Sequence, residues 1–157
     1  TSATSATSAT SATTATTAML AAIQTSPWAY PALEAVHIAG IALLFGSLVL
    51  FELRVLGLGR ELAPRALARL ALPLSLAGFG LAALSGLTMF ATEPQELLPN
   101  PAFRFKMLLL FAAGANAGWF HARGSMGRAD AIAKLQAALS ALLWLAVIAC
   151  GRAIAYV

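Results

Sequence analysis

The chain has 157 residues, of which 60% are hydrophobic and 10% charged, with a mean hydropathy of +0.81. A water-soluble domain usually carries about 25% charged residues, so this composition excludes an ordinary soluble protein and points to an integral membrane protein. A net charge of +4 without a basic stripe interleaved with aromatics excludes nucleic-acid binding, and the lone Cys150 excludes an intrachain disulfide or a cysteine-cluster metal site.

The first 18 residues contain only Thr, Ser and Ala. Such a tract has nothing to bury, so residues 1–26 are expected to form a low-complexity, disordered tail. Residues 27–157 hold four apolar runs, at about 31–51, 70–91, 102–120 and 135–157. Each has the roughly 20 residues that a helix needs to cross a hydrocarbon layer about 30 Å thick. The runs are continuous rather than alternating, and Ala and Leu dominate them, which favours helices over strands.

Turn signals separate the runs: "GLGRELAPRAL", "TEPQELLPNP" and "HARGSMGRAD". Pro101 suits the first turn of the third helix, while Pro73 marks either the true start of the second helix or a kink in it. Connections this short predict antiparallel neighbours, hence an all-α, up-down four-helix bundle in the membrane. Arg54, Arg60, Arg65, Arg69, Arg123, Arg128 and Lys134 fall on one side, seven of the ten basic residues. The positive-inside rule then places both termini in the periplasm of a bacterial inner membrane.

That topology gathers Glu34, His37, Met89, Lys106, Met107 and Arg152 in the outer leaflet. His121 lies near the cytoplasmic face, so one cofactor bridged by both histidines is not expected. His37 has two readings: an imidazole hydrogen-bonded between helices, or an axial ligand of haem iron. Gly40, one turn below it, either leaves room for a flat ring or allows close helix packing. Glu34 either orients the His37 ring or is an interfacial carboxylate near a helix N-terminus.

Arg104 and Lys106 either snorkel to the interface or contact haem propionates, and Met89 and Met107 are thioether donors or packing residues. Gly114 and Gly118 form a G-x-x-x-G pair that predicts a close helix contact, with Asn116 hydrogen-bonding across it. Glu52 and Arg54 read as markers of a helix end. There is no G-x-S-x-G, P-loop, H-E-x-x-H or CxxC motif, and no catalytic residue is assigned.

The segment "LEAVHIAGIALLFGSLVLFELRVLGLG" resembles the first helix of small bacterial membrane proteins distantly similar to the CopD copper-resistance and HemJ protoporphyrinogen oxidase families. Those share a histidine early in a helix that ends with an arginine, matched here by His37 and Arg54. "FRFKMLLLFAAGANAGWFHARG" is similar to their later helix, which begins with a lysine, matched by Lys106. The HemJ resemblance implies haem b held by the histidine, and the CopD resemblance implies copper handling.

The expected function is therefore a haem b-binding inner-membrane protein with His37 as metal ligand. Lys106, Met89, Arg104 and Gly40 complete the cofactor site, and one electron passes between a quinone or periplasmic partner and another redox protein. The alternatives are a copper-handling protein and a cofactor-free accessory subunit of a larger membrane complex.

Overall fold

The structure, a computed structural model, describes residues 2–125 and 130–156, with side chains from residue 8 onward. Arg128 and the last residue of the fourth predicted run lie outside the described residues. Among the described residues the chain is all-helical: α1 (Ser2–Thr25), α2 (Ala29–Leu56), α3 (Pro64–Thr92), the single turn α4 (Pro94–Leu97), α5 (Pro101–Ala122) and α6 (Ala131–Ala153), closed by a 3-10 turn at Ile154–Tyr156.

The Thr/Ser/Ala tract departs from expectation, for it lies in a helix rather than a disordered tail. The lack of anything to bury was read correctly, since residues 8–17 are exposed. What ordered the tract is local. Alanine is the best helix former, and each of Thr13, Thr14, Thr16 and Thr17 turns its hydroxyl back onto the carbonyl four residues earlier, at 2.9 Å. The far end of α1 is tied to α3 where Gln24 Nε2 donates to Thr92 O at 2.6 Å.

The four apolar runs become α2, α3, α5 and α6, each extended past its run toward the basic end. α2 stops at Gly57, whose φ of 108° is the left-handed conformation that a helix C-cap favours. The amide of Leu58 returns to Leu53 O at 2.9 Å. α3 begins at Pro64, not near residue 70, because proline at the first helical position loses no hydrogen bond. Pro73 is accommodated inside α3. Asn100 caps α5 by accepting from the amides of Ala102 and Phe103, and Asp130 caps α6 by accepting from Ala133 N at 2.8 Å.

α2 lies along α3, α5 along α6, and α2 also meets α6. Between α2 and α3 the spacing is set by small residues. A Cβ on Gly40 would stand 2.7 Å from Ala82 N and 2.9 Å from Gly78 O, and one on Gly78 would collide with the backbone of Leu44. Aromatic contacts tie the pairs together: Phe51 meets Phe120 edge-on at 6.0 Å, Phe90 stacks on Phe103 at 5.5 Å, and Phe79 meets Trp144 at 6.5 Å.

The main apolar core, Phe51, Ala68, Ala71, Phe120 and Ala133, lies at the basic end. Outward, the helices expose Leu76, Leu84, Phe111, Leu135 and Leu142. Among the described residues three helices are long and apolar enough to cross a membrane, Ala29–Leu56, Pro64–Thr92 and Ala131–Tyr156. α5 is comparable in length but carries Arg104, Lys106, Asn116 and His121, so composition alone does not make it a span.

The G-x-x-x-G expectation is corrected. Neither Gly114 nor Gly118 would bring a Cβ within 4 Å of another residue, and both are exposed. Their spacing places them on one face of α5, but α6 packs on the other, where Asn116 is buried.

Candidate functional site

His37 is held by α3, one turn along α2 from Gly40. Its Nδ1 lies 2.8 Å from Ala82 O and 3.1 Å from Ser85 Oγ. A carbonyl only accepts, so Nδ1 carries the proton and donates, and in the neutral ring Nε2 keeps the lone pair. The ring edge rests on Gly86, where a Cβ would come within 3.0 Å of His37 Cε1. α3 therefore accommodates the imidazole by omitting a side chain and supplies its hydrogen-bond acceptor from the backbone. This arrangement, one nitrogen fixed and the other available, is how metal-binding histidines are oriented.

The other residues named from sequence fall around this point to differing degrees. Met89 follows Ser85 and Gly86 by about one turn on the same face of α3 and is half-buried. Lys106, on α5, is half-buried and directed to α6, its Nζ 3.3 Å from where a Cβ of Gly151 would stand. Both Lys106 and Glu34 lie within electrostatic range of His37. Glu34 is exposed, and the partners of His37 Nδ1 are Ala82 and Ser85, not Glu34. Arg104 and Met107 are exposed.

Gly40 offers no room for a ring, because the backbone of α3 already fills the space beside it. It serves the α2–α3 contact. Cys150 is a free, half-buried thiol beside Lys106 and Gly151 on α6. Arg152 donates to Tyr156 Oη at 2.7 Å and lies 5.0 Å from that ring.

His121 lies at the basic end, edge-on to Phe120, far along the bundle from His37. Among the described residues no three His, Cys, Asp or Glu side chains gather as a metal site. A single anchored imidazole fits an axial haem ligand, for which the porphyrin supplies the other donors, better than a copper centre assembled wholly from side chains.

A second polar group is legible in the sequence only at Asn116, which hydrogen-bonds across to α6 as expected, though not beside Gly114 and Gly118. Glu52, Asn116 and Gln136 are buried at the basic end, at 5%, 7% and 3% exposure. The sequence groups Glu52 with Arg54 as a helix-end marker, but Arg54 turns away, its Nε donating to Leu62 O at 2.7 Å. The missed signal is the register of α2: Gly40, Leu44, Ser47 and Phe51 define its buried face, and one further residue brings Glu52 inside. Ser140 follows Gln136 at the helical spacing that places both on one face of α6.

The chain matches no protein-family model, no curated protein and no solved structure.

Proposed function

We propose that this chain is a multi-pass bacterial inner-membrane protein whose four long helices form a membrane-spanning bundle, and that it binds haem b through His37. The membrane reading is supported by an apolar exterior with Leu76, Leu84, Phe111, Leu135 and Leu142 exposed. A soluble monomer rarely exposes so much apolar surface. Trp28, Tyr30 and Tyr156 at one end and Trp119 near the other, all exposed, suit the two interfaces where aromatic rings concentrate. The end bearing Arg54, Arg60, Arg65, Arg69, Arg123 and Lys134 faces the cytoplasm by the same rule, which puts the start of α2 and the end of α6 on the periplasmic side.

The observation that carries the haem reading is the His37 ring, with Nδ1–H fixed by Ala82 O and Nε2 left as the ligand nitrogen. Met89 is the thioether nearest along that face of α3. Lys106, with Arg104 toward the interface, supplies positive charge for the propionates. Haem b bound there would take up and release one electron, making the chain an electron carrier between a quinone or periplasmic partner and another redox protein.

The test is the absorption spectrum of protein purified in detergent after haem-replete expression. A Soret band that is lost or shifted in His37→Ala supports the reading. A colourless wild-type protein rejects it and leaves the cofactor-free accessory role. A band unchanged in His37→Ala rejects His37 as the ligand.

A further inference from the structure

Most buried polar side chains in the long helices satisfy themselves. Ser47 Oγ donates to Leu43 O at 2.6 Å, Ser75 to Leu72 O at 2.8 Å, Ser85 to Leu81 O at 2.6 Å and Thr92 to Met89 O at 2.7 Å. A hydroxyl on a short stem reaches the preceding turn of its own helix, whereas a carboxylate has no proton to donate there. Four buried side-chain atoms have no hydrogen-bond partner among the described residues: Glu52 Oε1 and Oε2, Asn116 Oδ1 and Gln136 Nε2. Buried polar atoms are nearly always paired, and these four are not scattered. Their residues line one cavity of about 50 Å³, together with His121 and with Ser140, whose hydroxyl approaches the Glu52 carboxylate without completing a hydrogen bond.

Which atoms face the cavity is fixed from outside it. Asn116 Nδ2 donates to Gln136 O at 3.0 Å, which leaves Asn116 Oδ1. Gln136 Oε1 accepts from Ser125 Oγ at 3.2 Å and from Arg123 Nη1 at 3.4 Å, and arginine only donates, which leaves Gln136 Nε2. The unpaired atoms are thus three acceptor oxygens and one donor.

An ionised carboxylate among apolar side chains calls for a counter-charge, yet among the described residues no Lys or Arg lines this cavity. Three basic residues stand two positions from the cavity wall: Arg123 pairs with Asp130 at 3.1 Å, Arg54 donates to Leu62 O, and Lys134 is exposed. His121 is exposed and edge-on to Phe120, and makes no ion pair with Glu52. The space holds only a few water-sized groups. Carboxylate, amide and hydroxyl oxygens are hard donors suited to hard cations, and one carboxylate balances one positive charge.

We propose that this cavity binds one small monovalent metal cation, sodium or potassium, with Glu52, Asn116 Oδ1 and Ser140 as its ligands. Gln136 Nε2 donates to a water that completes the shell or to a Glu52 oxygen. The site lies at the end of the bundle opposite His37 and does not depend on any cofactor there.

The test is thermal unfolding of the full chain in detergent, in sodium, potassium or choline chloride at matched ionic strength. The proposal expects the midpoint to rise with the logarithm of sodium or potassium concentration but not with choline. Glu52→Gln should abolish that rise, and Asn116→Leu should shift it to at least tenfold higher concentration. Equal midpoints in all three salts overturn the proposal, as does a cation response undiminished in Glu52→Gln. If Glu52→Gln does not fold, sodium-23 line broadening by wild-type protein, reversed by excess potassium, decides in its place: broadening supports the site, and its absence overturns it.

Discussion

Near its start α2 presses Gly40 onto the backbone of α3 and donates the His37 Nδ1 proton to Ala82 O. Near its end it buries Glu52 beside Asn116 and Gln136, with the carboxylate oxygens unpaired. Between α2 and α3 the first region is closed: glycines remove side chains until backbones touch, and His37 Nδ1 finds its acceptor on the neighbouring helix while Nε2 is left free. The second is held open by large side chains, among them Phe51 and Phe120, and its polar atoms converge on a space that none of the described residues fills. Where helices approach through glycine, the backbone itself can satisfy a buried donor. Where they are held apart, the vacancy invites a small guest.

The closed region is broken most severely by Gly78→Ala. The added methyl would strike the Leu44 backbone, with Gly40 O at 2.7 Å and Leu44 Cα at 2.9 Å. Backbone cannot step aside as a side chain can, so α2 and α3 must separate, at a loss of about 3 kcal/mol. Unfolding in mixed micelles measures it. Gly80→Ala is the control, since nothing lies within 4 Å of its would-be Cβ. It should be neutral or stabilise by up to about 1 kcal/mol through helix propensity. Equal effects of the two substitutions would mean that α2 and α3 do not meet through Gly78.

The open region responds with the opposite sign. Glu52→Leu in choline chloride replaces an unpaired carboxylate by an apolar group of similar size and should stabilise the fold by about 1–3 kcal/mol. In sodium chloride the gain should shrink, because the wild type then recovers what its ligand supplies. A destabilisation in both salts as large as that of Gly78→Ala would show that Glu52 has a partner within the protein, and the contrast between the two regions would fail.

The two regions were unequally legible in the sequence. Length and apolarity mark all four long helices, and short connections with the clustered arginines place His37 and His121 at opposite ends, as the structure has them. Spacing does not say which neighbour a face meets, and so Gly114 and Gly118 pointed to a contact that α5 does not make. Glu52 was missed because Arg54 stands two residues away. Residues i and i+2 point to different sides of a helix, so their closeness in sequence was no evidence of pairing. For the Thr/Ser/Ala tract, absence of burial does not mean absence of structure: alanine favours helix without tertiary contacts, and the threonine hydroxyls are satisfied within that helix.

Asn116 sharpens the comparison from the other side of the cavity. Its Nδ2 bond to Gln136 O joins α5 to α6, and Asn116→Leu removes it along with one unpaired acceptor. Interhelical hydrogen bonds within membranes average about 0.6 kcal/mol. The stability loss in choline should therefore stay below about 1 kcal/mol, well short of the Gly78→Ala effect, while the cation response weakens at least tenfold. A large loss in choline would assign Asn116 to structure alone.

The smallest effect is expected at the rim, where Arg123 and Asp130 are paired at 3.1 Å with side chains 19% and 39% exposed. Asp130 has two duties there: Oδ2 accepts from Arg123, and Oδ1 caps α6 at Ala133 N. Asp130→Asn keeps a capping oxygen and removes the charge together with the oxygen that accepts from Arg123. An exposed pair is worth roughly 0.2–1 kcal/mol and is screened by salt. The loss should lie in that range at low ionic strength and vanish at high ionic strength, whichever chloride salt is used. That insensitivity to cation identity separates rim from interior. At the rim any salt acts by screening, whereas at Glu52 only a cation small enough to enter the cavity should act. If Asp130→Asn abolished the difference between sodium and choline, the cation effect would belong to the rim pair and not to the cavity.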